Sequence, residues 1–163
     1  MKPFKLLAIV CSLILMCGCA SLHPVSVNYH SPIDKYRYVY ITPTSSLSSG
    51  TGSVYNGYGS SMTRSVNPSD IISGYLIKKG YIVVPHIQSE FAPQTLIINY
   101  GQTGRRNILG GLLGYTIERT LQFLSAQTHE IVCVSTAEGQ GSTEADDIRI
   151  AITRALEEVF SSK

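Results

Sequence analysis

The residues best placed to do chemistry are two cysteines, Cys17 and Cys19, in the run Leu15-Met16-Cys17-Gly18-Cys19. A thiol can ligate a metal, pair in a disulfide, act as a nucleophile or carry an acyl chain, and its surroundings decide which. Here the surroundings are apolar. Lys2 and Lys5 form a positive region, and residues 6–16 are an apolar run broken only by Ser12. That is the layout of a secretory signal. As a helix the run would span roughly 16 Å against a hydrocarbon core of about 30 Å, too short to anchor the chain alone.

The segment ends in cysteine rather than in an A-x-A cleavage site. Met16-Cys17-Gly18-Cys19 resembles the bacterial lipobox, in which a small residue precedes a Cys that is acylated and becomes the first mature residue. Gly18 is small and Met16 is bulky, so Cys19 is the expected lipidation site. The resemblance implies three acyl chains at the terminal Cys, palmitate among them. Each buried methylene contributes about 0.8 kcal/mol, and two chains hold where one does not. Ala20 and Ser21 follow, with no acidic residue at the second mature position. By the sorting rule of enteric bacteria, that implies the outer membrane, facing the periplasm. The expected division is a signal peptide over residues 1–18, a lipidated N-terminus and tether over 19–33, and a single domain over 34–163.

Little other chemistry is visible. Cys11 and Cys17 leave with the signal, and Cys133, in Ile131-Val132-Cys133-Val134, reads as an inert thiol in a buried strand. Loss of residues 1–18 leaves 145 of 163 residues, enough for one domain with a real core. Lys2 and Lys5 also leave, so eleven basic side chains balance eleven acidic ones. Nucleic acid would call for a basic face, and none is implied. The G-x-S-x-G, H-E-x-x-H, P-loop and S-x-x-K motifs are missing, and Gly139-Gln140-Gly141-Ser142 lacks the lysine of a phosphate loop. His23, His30, His86 and His129 are scattered along the chain. Glu144, Asp146 and Asp147 lack the alternating spacing of a calcium loop and are accounted for by a helix dipole. The sequence therefore predicts no catalytic residue, no metal and no cofactor.

The elements follow from pattern. Residues 21–31 are polar with two prolines and read as the tether. Residues 36–41 read as a strand whose Tyr36, Tyr38 and Tyr40 share one half-buried face. Residues 44–66 are rich in Gly, Ser and Tyr and read as a flexible insertion, with Tyr55 and Tyr58 as candidate contacts for a glycan or peptide. Asn67-Pro68-Ser69-Asp70 starts a helix that presents Ile71, Ile72, Tyr75 and Leu76 and closes at Lys78-Lys79-Gly80. Residues 81–84 and 95–100 are strands. Between the second of these and residue 115 lie a turn carrying Arg105 and Arg106, candidates for gripping phosphate or carboxylate, and the apolar glycine stretch 108–114. Leu109 and Leu112 in that stretch are candidate partner contacts if exposed. Residues 115–124 and 131–135 form a hairpin, and a helix with an Ile148, Ala151, Ile152, Ala155, Leu156, Val159 stripe follows the Thr143 cap. This order predicts an α+β two-layer sandwich: a mostly antiparallel sheet with two helices packed on one face.

Leu76-Ile77-Lys78-Lys79-Gly80-Tyr81-Ile82-Val83-Val84, then Thr95-Leu96-Ile97-Ile98-Asn99-Tyr100, then the hairpin over 121–134 and a helix ending near Phe160, resemble a family of small bacterial outer-membrane or periplasmic lipoproteins of unknown function. The resemblance covers roughly residues 36–160 and implies a β-α-β-β-β-α domain. That family's hairpin turn usually carries Asp-x-x-Thr-Gly; Ser125-Ala126-Gln127-Thr128-His129 keeps the Thr and lacks the Asp and Gly. No catalytic residue is carried over. The expected function is a lipid-anchored envelope module that binds or scaffolds, held by its acyl chains and meeting an envelope protein or glycan. The alternatives are an envelope hydrolase with a site invisible in sequence, or a structural subunit of an oligomeric envelope assembly.

Overall fold

The computed structural model describes residues 22–43, 66–111 and 114–161. In chain order they form β1 (Ser26–Tyr29), β2 (Tyr38–Ile41), α1 (Pro68–Lys78), β3 (Ile82–Val83), β4 (Thr95–Asn107), β5 (Tyr115–Ser125), β6 (Ile131–Gly139) and α2 (Glu144–Phe160). The strands make one sheet in the order β1-β6-β5-β4-β2-β3. β1 with β6, β6 with β5 and β5 with β4 are antiparallel, whereas β2 runs parallel to both β4 and β3. Both helices cover the same face, so the fold is the expected α+β sandwich, its sheet mixed at the β2–β3 end.

The helices begin where local chemistry satisfies their free N–H groups. The Asn67 side chain accepts from the Ser69 N–H at 3.1 Å, with Pro68 at the first helical position. The Thr143 hydroxyl accepts from the Asp146 N–H at 3.2 Å. Ile72 and Leu76 of α1 and Ile152, Ala155, Leu156 and Val159 of α2 are buried against Val39, Leu96, Ile98, Leu121, Phe123, Cys133 and Ala137 of the sheet. Phe160 joins the two helices to this core. Its ring meets Tyr81 edge-on at 5.3 Å and Phe123 at 6.0 Å. Such aromatic pairs add roughly 0.5–1.5 kcal/mol each beyond the area they bury.

Three expectations are corrected. Residues 26–29, read as tether, are strand β1, with Ser26 opposite Thr136 and Tyr29 opposite Cys133. Val25 and Val27 pack against the core, and the Tyr29 hydroxyl donates to the Val159 carbonyl at 3.0 Å. The folded unit therefore begins before residue 34. Tyr36 does not share a face with Tyr38 and Tyr40: the strand starts at Tyr38, so alternation never reaches Tyr36, which is buried in the core. Residues 101–107 are no turn. β4 continues through them to Asn107, opposite Tyr115, with Thr103 as the extra residue of a bulge.

Gly139 has a structural reason. A Cβ there would strike the Asp147 carbonyl oxygen and stand 2.6 Å from the Ala151 nitrogen, because α2 crosses β6 at that point. Only a missing side chain lets helix and strand approach so closely. Gly139→Ala should destabilise the fold by about 2 kcal/mol or more, read as a lower urea midpoint with an unchanged slope; an unchanged midpoint would contradict this packing.

Candidate functional site

The sites expected from sequence fare unequally. Cys19, Tyr55, Tyr58 and Leu112 lie outside the described residues. Arg105 and Arg106 lie on β4, where alternation sends them to opposite faces, so they do not act as a pair. The Arg105 guanidinium stacks 3.9 Å over the Tyr115 ring and stands 4.0 Å from Glu144 on the helix-covered side. Arg106 turns to the open face, toward Glu138.

Among the described residues, Glu138 is the centre of the most connected polar cluster, and it was not among the candidates expected from sequence. It sits near the end of β6 with only 4% of its surface exposed. Arg106 grips it in a two-pronged ion pair, Nε–H donating to Oε1 at 2.9 Å and Nη2 to Oε2 at 2.7 Å. The His23 backbone N–H donates to Oε2 at 2.9 Å, and the His23 ring Nδ1 lies 3.2 Å from Oε1. From α2, Arg154 donates to the Glu138 carbonyl at 2.5 Å and to the His23 carbonyl at 2.9 Å. A buried carboxylate is tolerated only when hydrogen bonds satisfy it in this way. The Arg106 bonds, followed by the His23 N–H, outweigh burial and hold the Glu138 carboxyl down at about 2. Glu118 stands directly opposite on β5. It takes the Thr103 hydroxyl at 2.7 Å, leaving Arg106 to Glu138. Like charges on facing strands would otherwise repel.

No local pattern signals this cluster, because its partners lie 32 and 115 residues away in sequence. The one available hint was the Val25, Val27, Tyr29 alternation, which marks β1 and so brings His23 to the end of β6.

Two further features share this end of the sheet. β4 and β5 run on past Glu138 into a hairpin whose tip is closed by Ile108 N–H to the Gly114 carbonyl at 2.9 Å. Gly110, Gly111 and Gly114 take positive φ values of 66°, 96° and 84°, which explains the glycines of the apolar stretch. The Leu109 backbone forms part of this tip. Arg119, on the helix side of β5, is 3% exposed, and its Nε has no hydrogen-bond partner among the described residues. Burial pushes its guanidinium below the usual range, with Glu144 opposing the shift.

At the other end, a concavity of about 710 Å³ beside the β5–β6 turn is lined by His30, Ser31, Ser125 and His129 among others. Among the described residues, no hydrogen bond joins a hydroxyl to an imidazole there. The Ser125 carbonyl accepts from the His129 N–H at 2.8 Å, and His129 takes the left-handed φ of 60° that closes the turn. Cys133 is fully buried and its thiol is pushed up to about 11 by desolvation. Among the described residues, no group of three His, Cys, Asp or Glu is arranged to hold a metal, and no helix is long and apolar enough to cross a membrane.

No family model and no curated protein matches the chain. Among solved structures it is similar to the PelC dodecamer from Paraburkholderia phytofirmans: 13% identity, 82% of this chain and 96% of that chain covered, TM-score 0.51. A single-substitution variant of that dodecamer, in another crystal form, gives 11% identity, coverage of 81% and 92%, and a TM-score of 0.48. At these identities the likeness is one of fold.

The cluster has a signed pH dependence. Because the folded pKa of Glu138 lies below its ordinary 4.5, the carboxylate stabilises the fold above that value, and the contribution disappears as pH falls from about 4.5 towards 2. Glu138→Gln should lower stability by about 1–2 kcal/mol at neutral pH. The gap to wild type should narrow across that acid window in urea melts; a gap independent of pH would contradict the ion pair.

Proposed function

We propose that this chain is a lipid-anchored protein of the bacterial cell envelope, attached through Cys19 at the periplasmic side of the outer membrane. There it acts as a non-enzymatic scaffolding subunit that assembles with copies of itself. The observation that carries the reading is the docking of His23 and β1 onto β6. His23, four positions after Cys19, is already part of the folded body, so an acylated Cys19 would hold a rigid unit close to the membrane rather than a domain on a long leash. The PelC chain that shares this fold is described as a dodecamer, which supports self-assembly over a solitary binding module. Among the described residues the sheet ends at β1 and β3, two edges whose outer backbone groups would be covered or paired in an assembly.

The full-length protein, expressed in a bacterium and purified in mild detergent, tests both halves of the reading. Palmitate labelling and membrane fractionation should be lost in Cys19→Ser, and light scattering after size exclusion should return a multiple of the protomer mass. Palmitate incorporation unchanged by Cys19→Ser would overturn the anchor. A monomer at micromolar concentration would overturn the self-assembly and leave an anchored binding module.

A further inference from the structure

From the position of residues 22–29 we infer that the β4–β5 hairpin tip, Ile108–Gly111 with Gly114, rests on the lipid-headgroup surface of the membrane to which the chain is anchored. This rests on the proposed lipid anchor and adds an orientation to it.

The inference follows from strand directions. β6 ends at Gly139 opposite Ile117, two residues before β5 reaches Tyr115 at the hairpin tip. β1 is antiparallel to β6 and begins at Ser26 opposite Thr136, so residues 22–25 run back toward Gly139. His23 is fixed there on Glu138. The described chain therefore begins, at Leu22, at the same end of the sheet as the tip, and the β5–β6 turn lies at the opposite end.

Lengths decide whether the tip can avoid the membrane. Cys19 precedes His23 by four positions, so at most about 14 Å of extended chain separates them. The β4–β5 ladder runs three residues past Glu118, the partner of Glu138, and the Ile108–Gly114 pair adds one more rung. At about 3.3 Å per residue this places the tip roughly 13 Å beyond the level of Glu138. Tether and arm are equal within the uncertainty of a single residue, so even a fully stretched tether brings the tip to the membrane surface. The tip is also chemically suited: its sequence, Ile108-Leu109-Gly110-Gly111, carries no charge. The flanking arginines are committed, Arg106 to Glu138 and Arg105 to Glu144 and Tyr115. Ile108 is itself buried and Gly110, Gly111 and Gly114 are exposed, so contact should run through the uncharged glycine backbone of the tip and be insensitive to the charge of the lipids.

Full-length acylated protein in liposomes of phosphatidylethanolamine, with and without phosphatidylglycerol, provides the test. An environment-sensitive dye is placed at Leu109→Cys, with Gln127→Cys in the β5–β6 turn as the control. Lipids brominated near the headgroup should quench the first label at least twofold in both mixtures and leave the second unchanged. On unlabelled protein, amides of the tip should exchange more slowly on liposomes than in detergent-free buffer as the Cys19→Ser form. Equal quenching at the two positions, on protein that still floats with the liposomes, would overturn the orientation and leave the anchor standing. Failure to acylate or float would overturn the anchor itself. A Leu109 label that responds to rising concentration of the Cys19→Ser protein, and not to liposomes, would assign the tip to a second copy and also overturn the inference.

Discussion

A single buried carboxylate holds the beginning of this fold to its end. Glu138 could not remain ionised at 4% exposure without donors, and the donors it recruits come from β4 and from the N-terminal segment, while α2 grips its backbone through Arg154. Removing any one of them would leave charge or backbone unsatisfied. The interaction therefore fixes where the N-terminal segment leaves the domain, and that exit point sets how an anchored body would face its membrane. The Tyr29 hydroxyl on the Val159 carbonyl is a second, weaker tie of the same segment to α2.

Elements with a local cause were legible in the sequence. Both helices begin at the caps expected of Asn67 and Thr143, because capping depends on residues two or three positions away. The α2 stripe is buried as its periodicity required, and the β5–β6 hairpin forms where alternation placed it. What escaped the sequence was non-local. A four-residue edge strand gains its stability from pairing with β6, and the two prolines and polar residues around it masked the short alternation of Val25, Val27 and Tyr29. The bulge at Thr103 breaks the period in β4, so its outer half looked like a turn. The parallel pairing of β2 with β3 and β4 follows from the crossover through α1, which no strand pattern announces.

The candidate site was less legible than the fold. Arg105 and Arg106 are adjacent in sequence, yet neighbours on a strand point apart, and each meets a different carboxylate. Glu138 drew no attention because a lone acid in a β-pattern has no signature until its partners are known. The glycines of the 108–114 stretch were read through composition, whereas their role is conformational: positive φ closes a tight tip at the end of a long hairpin. Arg119 is a buried guanidinium whose Nε has no partner among the described residues, and its electrostatic companion Glu144 lies across the layer on α2.

From His23 onward the N-terminal segment belongs to the rigid body. Hydrogen exchange of the β1 amides in membrane-bound, acylated protein measures this most directly. Protection of the paired amides of residues 26–29 approaching that of β6 is the predicted result. Exchange at the rate of an unstructured chain, with β6 still protected, would show a free tether and contradict the account.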